Sequence, residues 1–125
     1  MFEKTPVAII QNKDKKKYFT KNGDLLNFNN LELFKDLPYV FGNKESFEKF
    51  YYDLKKINFP IKDIKKFYLF ETNRWDLITN KGQTIKLPVE NYFFGLKNFL
   101  NIKDKVNFEK YKIFDYRIKD QLILK

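Results

Sequence analysis

The sequence predicts an α+β domain built from one main antiparallel sheet and two helices. Three observations favour this class: short runs that alternate apolar and polar residues, tight-turn signals such as Asn22-Gly23 between two of these runs, and one apolar stripe of helical period within residues 43–59. At 125 residues, with 43% hydrophobic and 19% aromatic residues, the chain is long and apolar enough to fill a core. We expect one domain spanning residues 1–125.

The N-terminal third is predicted to form three strands and a loop. β-Branched residues cluster at residues 7–11 directly after a proline, which can start a strand but not lie within a central one. Residues 18–20 and 25–28 flank Asn22-Gly23, a dipeptide typical of a type I′ hairpin turn in which both central residues have positive φ. The apolar segment at residues 37–42 is interpreted as a loop packed against the core.

Residues 43–59 carry the strongest helix signal. Their large apolar residues recur every three or four positions and form one stripe, which we expect to face the core. Asn43 is placed to cap the first turn, and Pro60 is placed to end the helix. A second, weaker helix is predicted at residues 91–100, where Gly95 costs roughly 1 kcal/mol relative to alanine.

The remaining strands are predicted from alternating apolar residues between turn signals. Trp75 alternates with Asp76 in one of them and is assigned to the core. Thr72-Asn73 and Asn80-Lys81-Gly82 are the tight turns of this region. The predicted strands after the first helix are residues 64–71, 74–79, 84–87, 112–118 and 121–124.

The composition excludes several kinds of chemistry. The chain has no cysteine and no histidine, which rules out disulfides, Cys/His zinc sites and every catalytic triad that needs a thiol or an imidazole. Ser46 is the only serine, and the four scattered glycines build no phosphate-binding loop. We expect no cofactor and no metal. Carboxylates such as Glu71, Asp76 and Glu90 leave glycoside hydrolysis as a formal enzymatic alternative.

The formal charge of +9 comes from lysine, because 23 of the 25 basic residues are lysines and only Arg74 and Arg117 are arginines. A lysine excess together with many Asn, Ile, Phe and Tyr is also what an AT-rich genome encodes, so charge alone identifies no partner. Lysines adjoin aromatic residues at positions 15–19 and 65–68, which keeps a nucleic-acid-binding module as the alternative function. The scarcity of arginine argues against it, because arginine makes most bidentate base and phosphate contacts.

Five segments of the chain share their order and spacing with a known pattern. They are Thr5-Pro6-Val7-Ala8-Ile9-Ile10-Gln11, similar to PxAxWQ; residues 18–26, similar to a xLID-x-xGxVL hairpin; residues 37–42, similar to LPLxxG; residues 74–88, similar to RRWDLxLxNGxxxxLP; and residues 114–124, similar to IDLRxPDxxxV. Together they resemble the periplasmic β domain of the FtsQ/DivIB cell-division family, in an alphaproteobacterial-like form. The resemblance covers residues 5–124 and implies an FtsQ-type β domain fold.

The chain departs from the family pattern at several points. Ile10 stands where the family has tryptophan, and Lys119 stands where a proline is common. We expect residues 1–125 to be a fragment or a split gene product without the membrane anchor and the POTRA domain of the family, and residues 1–5 to be the remainder of a connection from a POTRA domain. No apolar run approaches the roughly 18–20 residues that cross a bilayer, and no targeting segment is visible. The resemblance implies the periplasmic face of the inner membrane as the location of the full-length family protein.

The resemblance also implies a non-enzymatic divisome scaffold. In the family, the last strand of this domain pairs with a segment of FtsB, in complex with FtsL, and so controls septal peptidoglycan synthesis. We therefore expect FtsB/FtsL-like partners and contact with the septal peptidoglycan synthase complex, since an edge strand offers unpaired backbone groups to an incoming strand. A cross-strand ion pair is the alternative role for Asp115 and Arg117, and core packing is the alternative for Leu122 and Leu124. The residues expected to bind the partner are Asp115, Arg117, Ile118, Lys119, Gln121, Leu122, Ile123 and Leu124.

Overall fold

The computed structural model describes residues 5–29, 34–105, 108–119 and 121–125. Of the connection predicted at residues 1–5, residues 1–4 lie outside this part of the chain. The described residues form two α-helices, α1 (Lys44–Lys56) and α2 (Phe93–Ile102), and one nine-stranded sheet. In chain order the strands are β1 (Pro6–Asn12), β2 (Lys15–Thr20), β3 (Leu25–Asn27), β4 (Tyr39–Phe41), β5 (Ile64–Leu69), β6 (Trp75–Thr79), β7 (Thr84–Lys86), β8 (Ile113–Asp115) and β9 (Ile123–Leu124).

The sheet is mixed rather than purely antiparallel. Its spatial order is β3-β2-β1-β4-β5-β6-β7-β8-β9. Five neighbouring pairs are antiparallel, whereas β1 with β4, β4 with β5 and β7 with β8 are parallel. Two of the parallel pairs follow from the helices, because α1 connects β4 to β5 and α2 connects β7 to β8, and a crossover of that length returns the chain in the same direction. The predicted α+β class with two helices is confirmed.

The prediction of a loop at residues 37–42 is wrong, because Tyr39–Phe41 form β4 in the interior of the sheet. Val40 is fully buried, and β1 and β5 pair with β4 on its two sides. A three-residue strand between a proline and a glycine shows too little alternation to be recognised from the sequence. Only its two parallel neighbours, which are distant in the sequence, make it a strand.

Helix α1 begins where it was predicted to begin and ends earlier than predicted. The Asn43 side chain accepts a hydrogen bond of 2.8 Å from the backbone N–H three residues later, which confirms it as the N-cap. At the other end, the Phe59 N–H bonds to the Leu54 carbonyl at 2.9 Å, and Asn58 has a φ of 56°. This Schellman-type arrangement ends the helix before Pro60 is reached.

The hairpin at Asn22-Gly23 forms, but its turn is not the type I′ turn that was predicted. Only Gly23 has a positive φ, of 87°, and its N–H bonds to the Thr20 carbonyl at 2.9 Å. The turn therefore consists of a tight bend followed by one left-handed residue. The same arrangement recurs in the two later hairpins, where Gly82 (φ 81°) and Asn73 (φ 66°) occupy the left-handed position.

Helix α2 lies two residues further along the chain than predicted. Its Gly95 is buried against the sheet, and a Cβ at this position would lie 2.8 Å from Cγ of Tyr116. Glycine lowers the intrinsic stability of the helix. It is needed here because any larger residue would push α2 away from the end of β8.

Both helices pack on one face of the sheet, which we call the helix-covered face. Trp75 is 4% exposed and stacks on Phe50 of α1 with ring centroids 4.9 Å apart, which confirms it as a core residue. Phe99 of α2 meets Phe114 of β8 edge-on at 5.2 Å. Within the described residues, neither helix has the length and apolar character needed to cross a membrane.

Candidate functional site

The C-terminal strand β9 lies at one edge of the sheet. It pairs with β8 on one side, and no strand of the described part of the chain adjoins its other side. The strand is shorter than predicted, because only Ile123 and Leu124 belong to it. The sequence left open which edge of the sheet is free. The spatial order shows that β3 and β9 are the two edge strands of the described sheet.

The hydrogen bonds between β8 and β9 show which backbone groups face outward. Ile113 and Lys125 exchange two backbone hydrogen bonds of 3.1 Å each. Hydrogen-bonded and non-hydrogen-bonded pairs alternate in an antiparallel ladder, so Asp115 and Ile123 form the next hydrogen-bonded pair. Leu124 lies between these two pairs and directs its N–H and C=O away from β8. One donor and one acceptor of Leu124 are therefore presented at the open edge.

Asp115 and Arg117 bind each other at the end of β8. Nε and Nη2 of Arg117 donate to the Asp115 carboxylate at 2.9 and 2.7 Å, and the Arg117 backbone N–H donates to it at 3.0 Å. These hydrogen bonds hold the pKa of Asp115 below its ordinary value. The cross-strand pairing considered from the sequence is wrong, because Arg117 follows β8 by two residues and binds Asp115 of its own segment.

A mirrored pair stands two strands away. Nη1 of Arg74 donates to Oδ1 of Asp76 in β6. Lys86 of β7 lies between the two carboxylates, since Asp76 and Asp115 are its partners in the neighbouring strands. The alternation along each strand places these side chains on the face opposite the helices, which we call the helix-free face. The resulting charged row consists of Arg74, Asp76, Lys86, Asp115 and Arg117.

Sequence reasoning missed this charged row, although a signal for it exists. Both arginines of the chain stand two residues from an aspartate, as Arg74-Trp-Asp76 and as Asp115-Tyr-Arg117. That spacing puts each pair on one face of a strand. The link through Lys86 depends on which strands are neighbours, and so it could not be read from the sequence.

The link between β8 and β9 holds most of the other predicted site residues. The strand predicted to continue to residue 118 stops at Asp115, because the chain leaves the sheet there. Ile118 is 50% exposed, and Lys119 and Gln121 are also exposed. Leu122 is half-buried and packs against the core. The structure thus brings Asp115, Arg117 and β9 together and leaves Ile118, Lys119 and Gln121 in the connecting turn.

A groove of about 260 Å³ lies beside Arg117, between the start of α2 and the link that follows β8. Its lining includes Phe94, Tyr116 and Lys119. The Phe94 ring is 46% exposed and meets the Tyr116 ring edge-on, with centroids 6.3 Å apart. Burial raises the pKa of Tyr116, and its hydroxyl donates to Oδ1 of Asn98 at 2.8 Å. The groove therefore combines an accessible apolar ring with a rim that carries two cations, Arg117 and Lys119, and one carboxylate, Glu90.

This arrangement lies within a region that matches a known family. The model described as "Cell division protein FtsQ/DivIB, C-terminal" matches residues 8–117, a range that includes the whole charged row. The chain belongs to the FtsQ/DivIB family. Its fold is similar to that of the major extracytoplasmic domain of the trans isomer of the cell division protein DivIB from Geobacillus stearothermophilus. That structure matches with a TM-score of 0.56 and 13% sequence identity, covering 86% of this chain and 97% of the other. A comparison with curated proteins finds no match.

Membership of the FtsQ/DivIB family confirms the resemblance inferred from the five segments. It assigns the chain a role in bacterial cell division, within a family of non-catalytic scaffolds that act together with other division proteins. The expected fold, an FtsQ-type domain with two helices on a large sheet, is confirmed as well.

The alternative of a nucleic-acid module finds little support in this FtsQ/DivIB domain. Of the rings that the sequence interleaves with lysines, Tyr18, Phe19 and Phe67 are buried. Tyr68 stacks on Phe41 with centroids 4.8 Å apart and an interplanar angle of 11°. These rings therefore offer no open platform on which bases can stack.

As to metals, the described residues contain no group of three or more acidic side chains that could hold an ion.

Proposed function

We propose that this domain is a non-catalytic binding module of the division machinery, whose β9 edge receives a strand from an FtsB/FtsL-like partner. The observation that carries the proposal is the position of β9, which has β8 on one side and directs the N–H and C=O of Leu124 to the other. An extended peptide that pairs with such an edge gains main-chain hydrogen bonds, and alternate side chains give specificity.

The predicted partner-binding residues have distinct roles in this proposal. Ile123 holds β9 to β8, and Leu124 provides the outward backbone groups. Arg117 keeps a half-exposed guanidinium at the end of β8, the strand next to β9, with Asp115 fixing its orientation through two hydrogen bonds. An acidic partner side chain would meet a pre-oriented cation there, which favours specificity more than raw affinity. Ile118, Lys119, Gln121 and Leu122 form the flank over which the partner chain would pass.

The groove beside Arg117 adds a second recognition element. It is lined by Phe94, whose exposed ring is the kind of apolar anchor that interfaces bury. We expect a partner residue with a bulky apolar side chain to enter it. The proposed location is the periplasmic face of the inner membrane, and the wider assembly includes the septal peptidoglycan synthase complex.

The test separates backbone pairing from side-chain contact at one position. Leu124→Pro removes the outward N–H, which an edge strand tolerates, whereas Leu124→Ala keeps it and truncates the side chain. Binding of each variant to the extracytoplasmic segments of FtsB and FtsL from the same organism is measured by calorimetry, and thermal unfolding is recorded in parallel. We expect the proline variant to lose binding by at least an order of magnitude and to unfold cooperatively, with the alanine variant binding within a few-fold of the wild type.

Two outcomes would contradict strand addition at β9. Unchanged binding of Leu124→Pro would show that the edge does not pair with the partner. Equal loss in the alanine and proline variants would show that the leucine side chain, and not the backbone, is recognised.

A further inference from the structure

A lysine-lined groove lies at the other end of the sheet, where β4 and β5 begin. Its volume is about 700 Å³, and its charged lining consists of Lys35, Lys62, Lys65, Lys66 and Asp36. Lys16 of β2 reaches the same place, because its Nζ stands 5.3 Å from the centroid of the Tyr39 ring, which also lines the groove. Lys35 aside, four ammonium groups of the described residues thus lie near the single carboxylate of the described lining. We call this site the lysine groove.

Apart from Lys35, the lysines at this groove have no ion pair within the described residues, in contrast to some lysines elsewhere in the chain. No carboxylate of the described residues forms an ion pair with Lys16, Lys62, Lys65 or Lys66. Elsewhere four lysines do form such pairs, namely Lys44 with Glu48, Lys56 with Asp53, Lys81 with Glu109, and Lys103 with Asp63. The positive potential of the groove is therefore available to an external anion.

The chemistry of the lining points to many weakly held phosphates rather than to one tightly held group. Lysine is a compact, strongly hydrated charge that acts without a fixed direction, unlike the guanidinium fork that reads bases and single phosphates. The aromatic rings near the groove already contact other side chains, since Lys16 stands over Tyr39, and Phe41 stacks on Tyr68. Their faces are therefore not open for bases to stack on. Tyrosine is enriched where membrane proteins meet lipid headgroups, and Tyr39 lines this groove beside Lys16.

We propose that the lysine groove binds the anionic headgroups of a phospholipid bilayer. Each lysine near such a surface raises the affinity about fivefold at physiological salt. Strands β6, β7 and β8 separate β5 from β9, a distance of roughly 19 Å across the sheet. A domain resting on lipid through the groove would therefore leave the β9 edge open. The proposal does not depend on which partner that edge receives.

The experiment uses the full chain and vesicles of two compositions. One set contains equal parts of phosphatidylglycerol and phosphatidylcholine, and the other contains phosphatidylcholine alone. Co-sedimentation at low salt is expected to recover the protein with the anionic vesicles only, and binding is expected to fall as salt is added. Recovery with both sets to the same extent would overturn the proposal.

Matched variants then locate the binding surface. The triple variant Lys62→Gln, Lys65→Gln, Lys66→Gln is expected to lose roughly a hundredfold in partition onto anionic vesicles. The control triple Lys49→Gln, Lys55→Gln, Lys97→Gln removes the same charge from the two helices, and we expect it to bind within a few-fold of the wild type. An equal loss in both would show that net charge alone, and not the groove, is responsible. Binding to a single-stranded oligonucleotide that is tighter than binding to the anionic vesicles at equal phosphate concentration would instead identify a nucleic-acid site, and it too would overturn the proposal.

Discussion

The helix-covered and helix-free faces of this sheet are built from the same strands but hold their side chains in different ways. On the covered face, aromatic rings from both helices and from four strands pack together, as where Trp75 stacks on Phe50. On the helix-free face, charged groups are held by hydrogen bonds, such as those that the Arg117 guanidinium donates to the Asp115 carboxylate. The side chains of the covered face are held by close packing, whereas those of the helix-free face are held by hydrogen bonds, which require a particular geometry. Stability is therefore expected to reside in the covered face, and recognition in the free face.

The largest expected effect is a core truncation on the covered face. Trp75→Ala removes a ring that contacts the rings of Phe47, Phe50 and Phe67, and we expect the free energy of unfolding to fall by about 3–5 kcal/mol. Tyr68→Ala removes a half-buried ring from the helix-free face and is expected to cost about 1–2 kcal/mol. Denaturant unfolding measures both. Equal losses would remove the distinction between the faces.

Gly95→Ala tests how tightly α2 packs on the covered face. Alanine improves helix propensity by about 1 kcal/mol, but its Cβ would lie 2.8 Å from the Tyr116 ring. We expect the packing conflict to dominate and the variant to be less stable by about 1–3 kcal/mol. The matched control is Lys97→Ala at an exposed position of the same helix. There alanine raises the helix propensity, and its side chain makes no contact with the sheet. A more stable Gly95→Ala variant would mean that α2 can shift outward at little cost.

Asp115→Asn tests the polar arrangement on the helix-free face. The pKa of Asp115 is lower in the folded state than in the unfolded chain, so its contribution to stability is complete above about pH 4 and is lost as the pH falls through the lower folded value. At pH 7 we expect the variant to be less stable by about 1–2 kcal/mol, because Arg117 loses its charged acceptor. The difference from the wild type should shrink below pH 4. A difference that is constant from pH 7 to pH 2 would show that the charge of Asp115 plays no part.

The smallest effect is expected for the lysine groove. Lys65→Gln removes an exposed charge that has no carboxylate partner within the described residues, so the free energy of unfolding should change by less than about 0.5 kcal/mol. Thermal unfolding measures this change and also serves as the folding control for the vesicle experiment. A loss comparable to that of Asp115→Asn would mean that the groove has a structural role.

Particular elements show which parts of the fold could be predicted from the sequence. The apolar stripe of α1, its Asn43 cap and the core position of Trp75 were predicted, since each depends on residues close in the sequence. The segment at Tyr39–Phe41 was taken for a loop, because β4 exists only through its pairing with β1 and β5. The turn at Gly23 was assigned the wrong type because several turns accept the same dipeptide.

The candidate site divides in the same way. The spacing of Arg117 from Asp115 and the apolar character of residues 122–124 could be read directly, and they belong to one of the five segments behind the family resemblance. The approach of Asp76 and Lys86 to that pair could not be, because it requires β6, β7 and β8 to be neighbours.

The sequence by itself determined the local structure of this protein: its helices, most of its strands, its hairpin positions and the residues that fill its core. These follow from periodicity and from capping and turn chemistry, which act over a few residues. Only the tertiary structure decided that the sheet is mixed, that β9 lies at its edge, and that two arginine–aspartate pairs share one lysine. Those features depend on contacts between segments far apart in the chain, and no local pattern specifies which strands become neighbours.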